Sequence, residues 1–390
     1  MRILIAHNRY QEQGGEDRVV EEEAAMLARH GHEVETFLVD NDAIHGGLTM
    51  VKAAIDSFYS TRSAREISRC LDSFAPNILH VHNFMPRLSP SIFFSAKRSV
   101  IPVVQTLHNY RLICANAVLF RDGHLCEECP RSGSFVPGIL HACYRGSALG
   151  SAVVGGTIAV HAAMGTWRNR VDRYIALTDF AAAQLAQSRV PAERVRIKPN
   201  FVADAAVGQG GGGYGLFAGR LSPEKGLSTL IEADAQGLLK VPVWIAGEGV
   251  LLPELQAASQ RIGSQLRVLG PVKRAELQEY MRNAEVLIVP SLWYEPCPMV
   301  VIEALAVGLP VACSRLGGLP GIIGEDVGGV TFEAGSGASL AAAVNRFAES
   351  SDESRKLRQG ARRRFEEEFS EARNYKRLRA IYDELVPKAS

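Results

Sequence analysis

The chain has 390 residues, more than one ordinary hydrophobic core organises and about right for two domains. Apolar residues make up 47% and charged residues 22%, the balance of a soluble globular protein. A formal net charge of +1 argues against bulk electrostatic binding to nucleic acid, which is not an expected partner.

Met1 leads directly into Arg-Ile-Leu-Ile-Ala, a buried-strand pattern with no basic leader or cleavage site. Residues 2–6 are therefore the first predicted strand. A helix over residues 17–29 follows, with Val20, Ala24 and Leu27 on one face and glutamates on the other, and Gly31 stops it. Residues 33–39, 78–82, 103–107 and 174–178 read as further strands, and Asp179 as the N-cap of a helix. Residues 146–165 are the least charged stretch, but Gly and Ala outnumber Leu and Phe there, which favours a buried or interfacial helix over a membrane span. A cytoplasmic location is expected, where the seven cysteines should be reduced, metal-bound or inert.

The second half repeats the alternation. Strands are predicted at 215–218, 243–246, 267–269, 286–289 and 311–314, and helices beginning near Gly226, Pro253, Lys273, Pro298 and Ser339. Residues 201–213 end in Gly-Gln-Gly-Gly-Gly-Gly and read as a flexible linker. Residues 354–386 read as a charged helical tail with Leu357, Phe365, Phe369, Tyr375, Leu378 and Ile381 as packing positions. The expected class is α/β: two doubly wound domains, 1–200 and 201–370, facing each other across a cleft, and a helix over 371–390 returning to the first. Open parallel sheets bind ligands beyond the carboxyl ends of their strands.

Three segments in the second half sit at such ends. Gly219-Arg220-Leu221-Ser222-Pro223-Glu224-Lys225-Gly226 joins a strand to a helix and offers a forked cation and a point charge suited to a diphosphate. Gly247-Glu248-Gly249 permits close backbone approach. After residues 286–289, Glu295-Pro296-Cys297-Pro298-Met299-Val300 opens a helix that carries Glu303. The N–H groups of its first turn make an anion site, Glu295 can accept sugar hydroxyls, and Glu303 can reach a second set such as a ribose diol.

These segments, in this order and spacing, resemble glycosyltransferase family 4. The resemblance covers nearly the whole chain and is strongest in residues 215–330. It implies the GT-B arrangement and a nucleotide-diphosphate-sugar donor. It implies that Arg220 and Lys225 bind the diphosphate, Glu295 faces the donor sugar, Glu303 binds the ribose, and backbone N–H groups near Met299 and Val300 hold phosphate and sugar. Gly14, Gly15, Asn200, Gly219, Gly247, Glu248, Pro271, Cys297 and Pro298 complete the expected donor site. His108, in Thr-Leu-His-Asn, matches a family histidine that faces the donor sugar. The expected catalytic set is His108, Arg220, Lys225 and Glu295. Glu295-Pro-Cys-Pro departs from the commoner Glu-Gly-Phe-Pro, which leaves the sugar open.

The resemblance also implies retention of configuration, by a front-face route in which the leaving diphosphate takes the acceptor's proton. No cofactor is then required, and Asp40-Asn41-Asp42, formally an Asp-x-Asp metal motif, is set aside. His80 and His82 read as structural. Cys114, Cys126, Cys129 and Cys143, in an insertion at about residues 112–145, are spaced for a structural zinc, for which His124 or His141 could substitute as a ligand; unliganded thiols, and a disulfide or redox function, are the other readings. Between them Phe120-Arg121-Asp122-Gly123-His124 reads as a hairpin. Arg62, Arg65 and Arg69 share a helical face and Phe93-Phe94 precedes Lys97-Arg98; this is either a solvated basic face or a peripheral contact with the inner face of the membrane. The expected acceptor is a glycan or lipid-linked sugar, in bacterial surface polysaccharide synthesis. The rivals are a nucleotide-sugar epimerase or phosphorylase on the same fold, and a non-catalytic, zinc-stabilised sugar-nucleotide-binding protein.

Overall fold

The computed structural model describes residues 1–9, 14–40, 55–349 and 351–386. Asn41 and Asp42 of the Asp-x-Asp motif lie outside them. The chain forms two compact units, Met1–Leu119 with Cys126–Pro199 and Asn374–Ser390, and Phe120–Leu125 with Asn200–Arg373.

In the first part of the chain the strands are β1 (Arg2–Asn8), β2 (Glu33–Val39), β3 (Ile78–Val81) and β4 (Val103–Leu107). A short hairpin, β5 (Phe120–Arg121) and β6 (His124–Leu125), precedes β7 (Arg173–Ala176) and β8 (Val195–Ile197). The first unit holds a parallel six-stranded sheet in the order β2-β1-β3-β4-β7-β8. Ile3, Leu4, Ile5 and Ala6 of β1 are fully buried, as a strand covered by helices on both faces requires. The Gly15–Arg29 helix buries Val19, Val20, Met26 and Leu27, and with them two carboxylates, Asp17 and Glu23. Asp17 belongs to a capping box: the Gly14 N–H donates to its Oδ2 at 2.9 Å.

The hairpin turns as its sequence predicts, with Asp122 and Gly123 both at positive φ (51° and 81°). The helix after β7 (Asp179–Leu185) is capped one residue earlier than predicted. Thr178 is the N-cap, and its hydroxyl accepts from the Ala181 N–H at 3.1 Å. Residues 148–163 form a helix, and among the described residues no helix is long and apolar enough to cross a membrane. The Glu371–Asp383 helix packs in the first unit from Asn374 onward.

The second unit holds β9 (Gly215–Ala218), β10 (Val243–Ala246), β11 (Leu266–Gly270), β12 (Val286–Val289), β13 (Val311–Ser314) and β14 (Gly329–Phe332), again parallel, in the order β11-β10-β9-β12-β13-β14. Its core gathers Leu221, Leu227, Leu230, Ile245, Val286 and Ile288, each at most 1% exposed.

Residues 208–213 do not behave as a free linker. Gly208 donates to Val307 O, Gly210 to Arg282 O and Gly212 to Asn283 O at 2.8–3.0 Å, and Gly211 donates to the Glu285 carboxylate at 2.7 Å. A Cβ on Gly208 would lie 2.3 Å from the Arg282 carbonyl oxygen. Gly208 and Gly212 are there because the segment lies too close to neighbouring backbone for a side chain, and Gly210, Gly211 and Gly213 because the chain turns at positive φ.

Candidate donor and histidine sites

In the second unit the expected donor segments all follow strands at the carboxyl edge of one sheet. Arg220 and Lys225 follow β9, Gly247 and Glu248 follow β10, Pro271 follows β11, and Glu295 follows β12. Because β9 pairs with both β10 and β12, three of these loops are neighbours. The loops interlock through backbone bonds: Gly219 donates to Ala246 O at 3.0 Å and Leu221 to Glu248 O at 2.7 Å. Two glycines make this closeness possible. Gly226 (φ +70°) would carry a Cβ 1.8 Å from Pro290 O, and Gly247 (φ +149°) one 1.9 Å from Gly219 O.

That approach brings Lys225 onto Glu295. Lys225 Nζ donates to Glu295 Oε1 at 2.6 Å, and Ser291 Oγ donates to the same oxygen at 2.7 Å. Glu295 is 3% exposed and Lys225 20%, so the pair is largely desolvated. The Lys225 ammonium also lies 5.4 Å from the centre of the Trp293 ring. The sequence assigned Lys225 and Glu295 to different parts of a donor; the fold joins them. Arg220, by contrast, is exposed and bonds Glu224 Oε1 at 3.0 Å.

Beyond Glu295 the chain enters the Met299–Ala306 helix. Pro298 is its N-cap, one position before the first-turn place predicted for it. The first bond of that turn runs from the Val301 N–H to Pro298 O at 3.1 Å, which leaves the Met299 and Val300 N–H groups ahead of the ladder. Glu303 is mostly buried, 4.0 Å from Arg274 Nε. Asn200 Nδ2 donates to Cys297 O at 3.1 Å, while Asn200 Oδ1 and Trp293 Nε1 are buried without a partner among the described residues. Unpaired polar atoms of this kind are rare in a finished interior and common where a ligand completes the bonding.

In the first unit the carboxyl ends of β1, β3 and β4 bring together His7, His82 and His108. His7 Nε2 is 2.9 Å from Asp17 Oδ1, and His82 Nδ1 is 2.9 Å from His108 Nε2. Glu23 lies at the centre of a fully buried cluster. Its Oε1 is 3.0 Å from His80 Nδ1 and 3.2 Å from His82 Nε2, and its Oε2 accepts from Lys198 Nζ at 2.7 Å. Lys198 also donates to Asn374 Oδ1 at 3.2 Å, and His80 meets Tyr382 Oη at 2.8 Å and Thr106 Oγ1 at 2.8 Å. Burial alone would raise the Glu23 carboxyl, but the charges of Lys198 and His80 and the contacts with both histidines outweigh it and hold it well below the usual range. Burial, reinforced by His80, lowers His82 to about 3, and burial with His82 beside it lowers His108 well below 6.5. Both rings are therefore neutral at physiological pH.

Glu23, Asp17 and Lys198 did not stand out in the sequence, where Glu23 reads as one of a run of helix-surface glutamates. The three ligand atoms of Glu23, His80 and His82 lie within 4.8 Å of one another. The Lys198 ammonium, however, already occupies the cationic role there. Gly14 and Gly15 sit at the start of the Gly15–Arg29 helix, where Gly14 serves the capping box.

The cysteine insertion is less converged. None of Cys114, Cys126, Cys129 and Cys143 is in a disulfide, and they do not form a group as tight as the Glu23 cluster. The Cys114 thiol donates to Asn116 Oδ1 at 2.8 Å. Burial above all, with smaller contributions from nearby Cys114, Cys143 and Cys126, raises the Cys129 thiol to about 11.

Two doubly wound parallel sheets in one chain are the GT-B glycosyltransferase architecture. The chain matches a solved Anabaena structure of Alr3699/HepE in complex with UDP at a TM-score of 0.70 and 16% identity, covering 98% of this chain and 100% of that one. The family comparisons resolve each half. Residues 14–200 match the glycosyl transferase 4-like domain and residues 209–364 the glycosyl transferases group 1 family. The chain thus resembles a glycosyl transferase 4-like domain followed by a glycosyl transferases group 1 domain. It is 35% identical over 148 residues to a D-inositol 3-phosphate glycosyltransferase of Streptomyces griseus, covering 34% of this chain and 31% of that one. It is 30% identical over 183 residues to the amylovoran biosynthesis glycosyltransferase AmsK of Erwinia amylovora, covering 44% of each. These matches span between about a third and a half of the curated relatives' length.

Proposed function

We propose that this chain transfers a sugar from a nucleoside-diphosphate-sugar to a glycan or lipid-linked acceptor with retention of configuration, in bacterial surface polysaccharide synthesis. The observation that carries the reading is the buried Lys225–Glu295 pair, held by Ser291 at the carboxyl edge of β9 and β12 beside the Met299–Ala306 helix N-terminus. A cation, a hydroxyl-accepting carboxylate and first-turn N–H groups side by side suit the three parts of such a donor: diphosphate, sugar and the leaving oxygen between them. Fold relatives support it, one of them holding UDP.

In this reading the acceptor oxygen bonds to the anomeric carbon on the face that the diphosphate leaves. The acceptor's proton passes to the departing phosphate oxygen. Arg220, Lys225 and the helix N-terminus stabilise the charge that grows on the diphosphate. Glu295 and His108 hold sugar hydroxyls, Glu303 holds the ribose, and no enzymic nucleophile is needed. A panel of nucleotide-sugars in a thermal-shift assay tests this. The true donor should raise the melting temperature of the wild type by mass action and leave Lys225→Ala unmoved. Equal responses in both proteins would refute the donor assignment.

For the insertion we propose a structural zinc drawn together by Cys114, Cys126, Cys129 and Cys143. Its support is the spacing of the four thiols and the electrostatic reach of three of them to Cys129. Freshly purified, unchelated protein should contain one zinc per chain, and Cys129→Ser should lose it. Protein prepared in zinc-supplemented medium that holds none rules the site out. A peripheral membrane contact through the Arg62, Arg65 and Arg69 face is part of the same proposal for a lipid-linked acceptor, and co-sedimentation with anionic vesicles reads it. Binding unchanged in the triple Ala variant would remove that contact.

A further inference from the structure

The His108 ring is tied, through the single intervening ring of His82, to the buried charge of Glu23. His108 Nε2 and His82 Nδ1 are 2.9 Å apart. The two rings are inclined by only 16° with centroids 5.1 Å apart. Most of that separation is the nitrogen–nitrogen contact itself, so the rings meet edge to edge and nearly coplanar, the geometry of an in-plane N–H···N hydrogen bond. On its far side His82 turns Nε2 toward Glu23 Oε1 at 3.2 Å. The contact is off the ideal direction, yet both atoms are buried with no better-aligned partner among the described residues. Glu23 is ionised and can only accept. A lone pair on His82 Nε2 would face that carboxylate oxygen across a water-free gap, whereas an N–H satisfies both atoms.

The tautomers then follow in sequence. His82 carries its proton on Nε2, so its Nδ1 is an acceptor. His108 must donate from Nε2, so in its neutral form its Nδ1 carries the lone pair. Lys198 balances Glu23, at 2.7 Å from Oε2, so neither ring has to be charged to neutralise the carboxylate. Among the described residues the His108 ring bonds only His82, through Nε2.

We propose that Glu23 and His82 are positioning residues for His108: they fix it as the Nε2–H tautomer and present Nδ1 as a hydrogen-bond acceptor for a hydroxyl of a bound sugar. The tautomer is argued from the protein alone; its partner, a sugar hydroxyl, rests on the donor reading above. A His108 in the opposite tautomer would offer an N–H instead, which a phosphate or carboxylate oxygen accepts as readily as a hydroxyl does; the lone pair at Nδ1 admits only a group that carries a proton. The Glu23–His82 pair thus sets which class of ligand group the strand end accepts.

Long-range proton–nitrogen spectra of the full chain labelled with 15N-histidine test this, the His108 signals being assigned by their loss in His108→Asn. In the wild type, His108 should show a protonated Nε2 and an unprotonated Nδ1 at pH 7. In His82→Leu the ring is released, and both nitrogens should move to averaged shifts of exchanging tautomers. His82→Gln should keep the wild-type pattern, because its carbonyl can accept from His108 while its amide faces Glu23. A wild-type His108 protonated at Nδ1 overturns the proposal, whether or not the variants fold. So does a His82→Leu spectrum with His108 unchanged, or a His82→Gln spectrum like that of His82→Leu. Should nucleotide-sugars fail to bind while the tautomer is as expected, the donor reading falls and the positioning role stands.

Discussion

Lys225→Ala is expected to lower the rate of sugar transfer by about 100-fold or more, roughly 3 kcal/mol of transition-state stabilisation. The side chain is a compact ammonium in a largely water-free site. Such a charge is worth most where phosphate charge builds up as the sugar departs. In the free protein it is matched by Glu295, so the loss has a second component. Without Lys225, the Glu295 carboxylate keeps Ser291 Oγ as its bonded partner while remaining 3% exposed. A buried charge stripped of its counter-ion is costly, and the second unit should melt at a lower temperature than in the wild type. Pairing Lys225→Ala with Glu295→Gln separates the two components: the double variant should recover much of the lost stability and none of the activity. Steady-state transfer rates and melting curves on the two variants decide. A Lys225→Ala protein that turns over at the wild-type rate would sink the donor-site assignment.

The donor segments were legible because their chemistry is local. A loop that must approach phosphate needs glycine, a cation and a helix start in one short stretch, as 219–226 and 295–303 have. The central strands were legible for a similar reason, as continuous apolar runs buried on both faces. Strands β8 and β14 were missed because each is short and interrupted: Val-Arg-Ile has a charge at its centre, and Gly-Val-Thr-Phe, though largely buried, opens on glycine and carries Thr. The glycine run at 208–213 was misread because glycine serves two opposite needs, freedom and close packing, and sequence alone does not say which. The Lys225–Glu295 bond and the Glu23 cluster were invisible for a third reason. Each joins residues far apart in the chain, 70 positions for the first and 175 between Glu23 and Lys198. Only the strand order brings them together. Glu23 carries no local mark at all: the same helix bears Glu21 exposed and Glu22 half-buried, so two steps along it separate a solvated glutamate from a buried one.

The largest stability effect is expected at that glutamate's partner. Lys198→Met should destabilise the protein by about 3–5 kcal/mol at neutral pH, the usual cost of breaking a buried ion pair from one side. Lys198 is 1% exposed and Glu23 wholly buried, so water cannot replace the lost ammonium. Asn374 Oδ1 also loses a donor, which loosens the Glu371–Asp383 helix where it meets the sheet. The effect should depend on pH in a defined direction. In the wild type the folded-state pKa of Glu23 lies below its ordinary 4.5. Its contribution is therefore complete above that value and fades as the pH falls through it. His82, at about 3 in the fold against 6.5 outside it, adds an earlier loss. As the pH falls below 6.5 the unfolded chain takes up a proton that the native ring refuses, costing up to about 1.4 kcal/mol per pH unit. In Lys198→Met the Glu23 carboxyl loses its main counter-charge and protonates in the native state at higher pH. The stability curves of wild type and variant should therefore converge as the pH drops toward 4. Denaturant titrations from pH 8 to pH 4 measure this, with Lys198→Met/Glu23→Gln expected to recover much of the neutral-pH loss because no buried charge is left unpaired. A single variant as stable as the wild type at pH 7.5, or a gap that widens in acid, would show that the Glu23–Lys198 pair does not hold this end of the sheet.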